Sequence, residues 1–169
     1  MPSNSGKSRF TINVAAHLAF VEKKKVLIIS NEMSEEKMKL CLITTIINNP
    51  KIQKIVGCKL RVSETQLLDF KYKPDKKSSV KVDEKGYILQ EDNETHEHFI
   101  DKLIKYSSEF NDVIKVTDWL DNQIDNPICF MHIADHTNDD LYKIILNYYY
   151  KEGVEYVFYD TLKNDINHI

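Results

Sequence analysis

Glycine is scarce in this chain, with four among 169 residues. Having no side chain, glycine lets backbone pass close to a phosphate or turn through positive φ. Sites of either kind are therefore few, and Gly6, Gly57, Gly86 and Gly153 each carry information. Cysteine is sparse too. Cys41, Cys58 and Cys129 are odd in number and form no Cys-x-x-Cys pair, which argues against a disulfide framework and for reduced thiols in a cytoplasmic chain. No apolar run approaches the roughly 20 residues of a membrane span, and the N-terminus lacks the apolar core of a signal peptide, so no membrane partner is expected. A net charge of −3 excludes a broad basic footprint for nucleic acid. Internal repeats and low-complexity tracts are missing as well. What remains, 42% hydrophobic and 29% charged residues, is an ordinary globular composition, long enough for one core and one domain.

Residues 8–22 read as a helix, with Phe10, Val14, Leu18 and Val21 at helical spacing and alanines between them. Lys23, Lys24 and Lys25 sit at its end, where cations favour the helix dipole. Val26–Ile29 is a continuous apolar run suited to a strand buried on both faces of a parallel sheet. Ser34 caps a helix through Met38, Leu42 and Ile46 that stops before Pro50, and a short helix follows to Gly57. Ser63 and Gln66 form a capping-box pattern. Over 71–94 the character changes to lysine, aspartate and serine, with a hairpin turning at Asp83–Gly86. Helical periodicity returns over 95–122 through Phe99, Leu103, Tyr106 and Phe110, with a break expected near Asn111 and Asp112. Ile128–Ile133 reads as a strand. Thr137 caps a helix along Leu141, Ile144, Ile145 and Tyr148, which Gly153 ends, and Val154–Tyr159 is a last strand before Asp160. This order predicts an α/β fold with a mainly parallel sheet.

Gly6-Lys7-Ser8 matches the second half of a phosphate-binding P-loop, in which helix N-terminal N–H groups cradle phosphate, the lysine reaches the β/γ-phosphates and the hydroxyl binds Mg²⁺. The pattern asks for a glycine five positions earlier, where Met1 stands. A P-loop is also preceded by its own strand, and neither that strand nor any strand after Asp160 is present, so the expectation is the middle of a larger domain, incomplete at both ends. In an open parallel sheet, ligands sit beyond the C-terminal strand ends, which would gather Gly6-Lys7-Ser8, Asn31-Glu32 and Asp160-Thr161 on one edge. There Lys7 would neutralise phosphate, Ser8 and Asp160 would hold Mg²⁺, and Glu32 would orient or deprotonate an attacking water.

The segments PSNSGKSRFTINVAAHLAF, KKVLIISNEMSEEKMKL and VEYVFYDTLK resemble the ATPase domain of DnaB-type replicative DNA helicases, within the RecA-like P-loop group. The resemblance covers roughly residues 1–48 and 126–163, and Asn31–Ser34 is its most telling match. It implies a P-loop NTPase of three α/β/α layers that binds and hydrolyses ATP with Mg²⁺. Glu32 takes the catalytic role, Asn4, Ser5, Gly6, Lys7, Ser8 and Arg9 the nucleotide, and Ser8 with Asp160 the metal. DNA and a homo-oligomeric ring are implied for the intact protein. Residues 56–126 match nothing in that family and read as an insertion within a single partial domain over 1–169.

Blander readings stand beside these. Arg9 also suits a solvated helix N-terminus. His96 and His98 lie beside Glu94 and Glu97, but i,i+2 does not place two ligands on one helix face, and a solvated segment is the plainer reading. His132 and His136 flank Asp135 near the strand edge, where a core or capping role stands beside an approach to a ligand. Tyr148, Tyr149 and Tyr150 pack a helix end or form a stacking platform without a basic groove. Trp119 packs the inserted helix. The alternatives to a helicase core are a non-helicase RecA-like ATPase of phage or plasmid origin, and a non-catalytic interaction module with a vestigial P-loop.

Overall fold

The computed structural model describes residues 4–75 and 80–160, with backbone alone for 4–7. In chain order the elements are α1 (Asn4–Ala16), a π-helical turn (His17–Val21), β1 (Val26–Ser30), α2 (Glu35–Asn48), α3 (Pro50–Val56), α4 (Glu64–Asp69), α5 (His96–Tyr106), α6 (Ser108–Asp121), β2 (Ile128–His132), α7 (Asn138–Glu152) and β3 (Tyr156–Asp160). The chain divides into two compact units, 1–45 with 123–169, and 46–122. The second brackets much of the segment expected as an insertion over 56–126. No helix among the described residues is long and apolar enough to cross a membrane.

The first unit is α/β. Its three strands form a parallel sheet in the order β2-β1-β3. β1 is central, and Val26, Leu27, Ile28 and Ile29 are at most 2% exposed, as the unbroken apolar run requires. Side chains alternate along a strand, so Leu27 and Ile29 share a face. That face packs with Val154 against Leu141, Ile144, Ile145 and Tyr148 of α7, the stripe expected from the sequence. Thr137 and Asp140 form a reciprocal capping box at the start of α7, and Gly153 ends it in the left-handed conformation at φ 71°.

The first helix differs from expectation in extent and in face. It begins at Asn4, ahead of Ser8, and its last turn loosens to π geometry, with Glu22 N–H donating to His17 C=O at 3.1 Å. The buried hydrophobic residues are Ile12, Ala15, Ala16, Ala19 and Phe20, whereas Phe10 is 69% exposed. The alanines, expected only to fill space, form the packed face because small side chains let a helix approach its neighbours closely.

The second unit is helical with one tight turn. Its core includes Ile52, Val62, Tyr72, Ile88, Phe99, Leu103 and Val116. The Tyr72 ring meets Phe110 edge-on at 5.0 Å. Burial, and secondarily the Glu109 carboxylate, pushes the Tyr72 phenol up to about 12. The expected hairpin reduces to one antiparallel bridge, Val82 to Ile88. Asp83 holds the turn instead, its carboxylate accepting from Lys85 N–H at 2.9 Å and Tyr87 N–H at 3.0 Å. The helix break falls at Ser107, not near Asn111 and Asp112. Ser107 is extended, and its hydroxyl accepts from Phe110 N–H at 3.2 Å. Asn111 is helical, and its side-chain amide donates to the carbonyl of Ile104 at 2.8 Å, a group that the break frees, and to that of Ser107 at 2.9 Å, which also accepts the Asn111 backbone N–H. Asp112 accepts from Lys59 and Leu60 N–H at 3.1 and 2.9 Å, and Glu109 from Lys73 N–H at 2.8 Å. Loops without strand partners thus have donors satisfied by carboxylates of α6.

Ahead of α5, Glu94 receives Lys102 Nζ at 2.7 Å and also pairs with His98. The Lys102 hydrogen bond is the main cause that holds the Glu94 carboxyl at about 2, down from 4.5. A depressed folded-state pKa contributes stability above the unfolded pKa and loses it as pH falls toward the folded one. Unit 46–122 is therefore expected to weaken between about pH 4.5 and 2, and Glu94→Gln to flatten that limb in urea titrations at several pH values. The first helix supplies a second expectation. Ala16→Leu overpacks a site with no exposure and costs about 1–3 kcal/mol, whereas Phe10→Lys changes denaturation by less than about 0.5 kcal/mol.

Candidate functional site

Parallel pairing puts the last residues of the three strands side by side, Ser30 opposite His132 on one flank and Asp160 on the other. This is the sheet edge where open α/β sheets take ligands. Ser30 is fully buried, and its hydroxyl accepts from the N–H groups of Glu32 at 3.2 Å and Met33 at 3.0 Å. Asn31 N–H continues the β3 ladder by donating to Asp160 C=O at 3.3 Å. The chain therefore turns sharply beyond β1, burying Met33 and leaving Glu32 exposed. Ser34 then caps α2, its hydroxyl accepting from Lys37 N–H at 3.2 Å.

Asp160 shares a sheet face with Ser30, the face opposite Leu27 and Ile29. There Ser8 of α1 donates its hydroxyl hydrogen to Asp160 Oδ2 at 2.6 Å. Both are buried, Ser8 at 8% and Asp160 at 2% exposure. Asp160 Oδ1 is also buried and has no hydrogen-bond partner among the described residues. Buried polar atoms are almost always paired, so this oxygen marks a place where a further donor or cation fits. The donor set, one hydroxyl and one carboxyl, consists of the hard oxygens that Mg²⁺ prefers.

Of the sequence-predicted residues, Ser8 and Asp160 are in direct contact, and Glu32 lies in the turn just beyond the neighbouring strand, β1. Asn4, Ser5, Gly6 and Lys7 form the first turn of α1, so the Gly-Lys-Ser tripeptide lies inside the helix rather than ahead of it. The side chains of Asn4, Ser5 and Lys7, and all of Thr161, lie outside the described residues. Arg9 follows on α1 with an exposed side chain, and Asn13 donates to its carbonyl at 2.9 Å. His136 hydrogen-bonds the Tyr159 hydroxyl at the same edge. Sequence reasoning gave Ser30 no role. A serine ending a strand two and three positions before a turn's N–H groups is the signal that would have found it.

Elsewhere, His98 is spent on Glu94, and His96 lies edge-on to Phe70 at 5.4 Å. No group of three or more His, Cys, Asp or Glu is arranged for a metal among the described residues. A cavity of about 570 Å³ opens in unit 46–122 beside α4 and the Asp83 turn. Its side chains Ser63, Gln66 and Asp83 are committed to capping α4 and to holding that turn, which leaves the strand ends as the stronger candidate.

No family model, curated protein or solved structure matches the chain. The site's own chemistry yields an expectation. Ser8→Ala leaves a buried carboxyl group without its donor and is expected to cost about 1–3 kcal/mol in urea unfolding, while Ser8→Thr retains most of the stability. An alanine variant as stable as the parent would refute the contact's importance.

Proposed function

We propose that this chain carries a nucleotide site of RecA-like P-loop type, in the three-layer arrangement resembling the ATPase core of DnaB-type replicative helicases. The observation that carries this reading is the buried 2.6 Å hydrogen bond between Ser8 and Asp160, residues 152 positions apart. The hydroxyl and the carboxyl expected to hold Mg²⁺ are thereby neighbours at the C-terminal edge of a parallel sheet. The unpartnered Asp160 Oδ1 further supports a ligand there.

In this reading the first residues of α1, Asn4–Lys7, supply helix N-terminal N–H groups that have no intrahelical acceptor and suit phosphate oxygens. Lys7 neutralises phosphate charge. Ser8 and Asp160 hold Mg²⁺, directly or through water, and the bound ion would offset the charge of the phosphates. Glu32, exposed on the turn beyond β1, acts as the base that orients or deprotonates water for in-line attack on the γ-phosphate. The same resemblance extends the proposal to DNA as a partner and to a ring of subunits.

One observation favours a second reading. Residues 46–122 form a compact unit with their own buried core, which suits a module that docks a partner while the P-loop is vestigial. Thermal unfolding with and without Mg-ATP separates the two. At a hundred times Kd, specific binding adds about 2.7 kcal/mol, a rise of several degrees in Tm. Loss of that rise in Lys7→Ala and Asp160→Asn is the expected result. A Tm indifferent to Mg-ATP in the unsubstituted chain would leave the module reading standing.

A further inference from the structure

His132 ends β2, opposite Ser30 in the register, and its side chain is exposed. Its Nδ1 lies 2.8 Å from the carbonyl oxygen of Met33, 99 positions earlier in the chain. A carbonyl oxygen only accepts, so Nδ1 is the protonated nitrogen of the ring. Met33 is the residue after Glu32, and it closes the turn that Ser30 opens. Within that turn the Ser30 hydroxyl takes the Glu32 and Met33 N–H groups, and His132 takes the carbonyl that follows. The adjoining backbone is tied to the same place, with Ile133 N–H donating to Ser30 C=O at 2.9 Å. The turn carrying Glu32 is thus held from its own strand and from the neighbouring strand.

We propose that His132 is a positioning residue for Glu32, clamping the turn beyond β1 through the Met33 carbonyl. The proposal rests on the reading of Glu32 as the water-activating base. The Ser30 hydroxyl holds the N–H groups at the near end of the turn, and His132 adds a tie at the Met33 carbonyl, at its far end. A base works only when held within hydrogen-bond reach of its water, and small displacements are costly in rate. The imidazole fixes that far end without touching substrate.

The experiment uses the whole chain with His132→Leu, which removes the donor, and His132→Asn, whose amide places an N–H near the Nδ1 position. Because the histidine is exposed and the lost contact is confined to the turn, both variants are expected to fold, with Tm lowered by at most a few degrees in His132→Leu. Amide hydrogen exchange is read at Glu32 and Met33, with Leu27, Ile28 and Ile29 of β1 as references. The expected result is exchange at Glu32 and Met33 about three- to tenfold faster in His132→Leu, restored in His132→Asn, with the β1 references unmoved. Steady-state turnover of Mg-ATP should show kcat reduced in His132→Leu and regained in His132→Asn, with KM unchanged.

Equal exchange at Glu32 and Met33 in all three proteins overturns the clamp. So does acceleration spread equally over β1, which would mean a merely structural role. A loosened turn with parental kcat overturns the link to Glu32. Absence of Mg-ATP binding by the unsubstituted chain instead overturns the nucleotide reading, and is distinguished because the exchange comparison requires no nucleotide.

Discussion

A strand buried on both faces has no water to satisfy its backbone, so β1 must find hydrogen-bond partners along both edges. Val26–Ile29 are at most 2% exposed, and β2 and β3 supply those partners, both parallel. The remaining geometry of this unit follows from the register that results. With Val26 opposite Ile128 and Tyr156, the strands finish level, and Ser30, His132 and Asp160 arrive at one edge. A slip of one residue would turn Asp160 to the face that packs α7, where a carboxyl would meet Leu27 and Ile29.

That edge is built from contacts of long sequence separation. Ser8 meets Asp160 across 152 positions, and His132 meets the turn of Glu32 and Met33 across 99. Each contact joins a helix or turn to the end of a strand already placed by the sheet. The edge is therefore only as well ordered as the pairing of β1 with its neighbours. Glu32 has no ladder of its own, and the turn that carries it is held by side chains from two strands.

The unit over 46–122 solves a different problem. It has little sheet, so the N–H groups of its loops cannot be served by a ladder. Carboxylates do that work: Asp112 for Lys59 and Leu60, Glu109 for Lys73, and Asp83 for its own turn. Read from sequence, Asp83 sits in a hairpin turn and Asp112 at a helix break, and Glu109 has no role. The structure instead spends them on backbone donors, which explains why a segment rich in lysine and aspartate is ordered around Tyr72 and Phe110.

What could be read from the sequence was what nearby residues settle among themselves. The three strands, the capping box of α4, the Thr137 cap of α7, the glycine endings after Val56 and Glu152, and the residue types assembled at the strand ends all depend on partners a few positions away or on short periodicity. Tertiary structure decided the rest. It chose the alanine face of α1 over the one bearing Phe10, because close approach rewards small side chains. It moved the helix break to Ser107, where the Ser107 hydroxyl caps α6 and the Asn111 amide serves the freed Ile104 carbonyl. It joined Ser8 to Asp160 and His132 to Met33, since a hydrogen bond across 152 or 99 positions depends on where the sheet brings the chain, which no local pattern records.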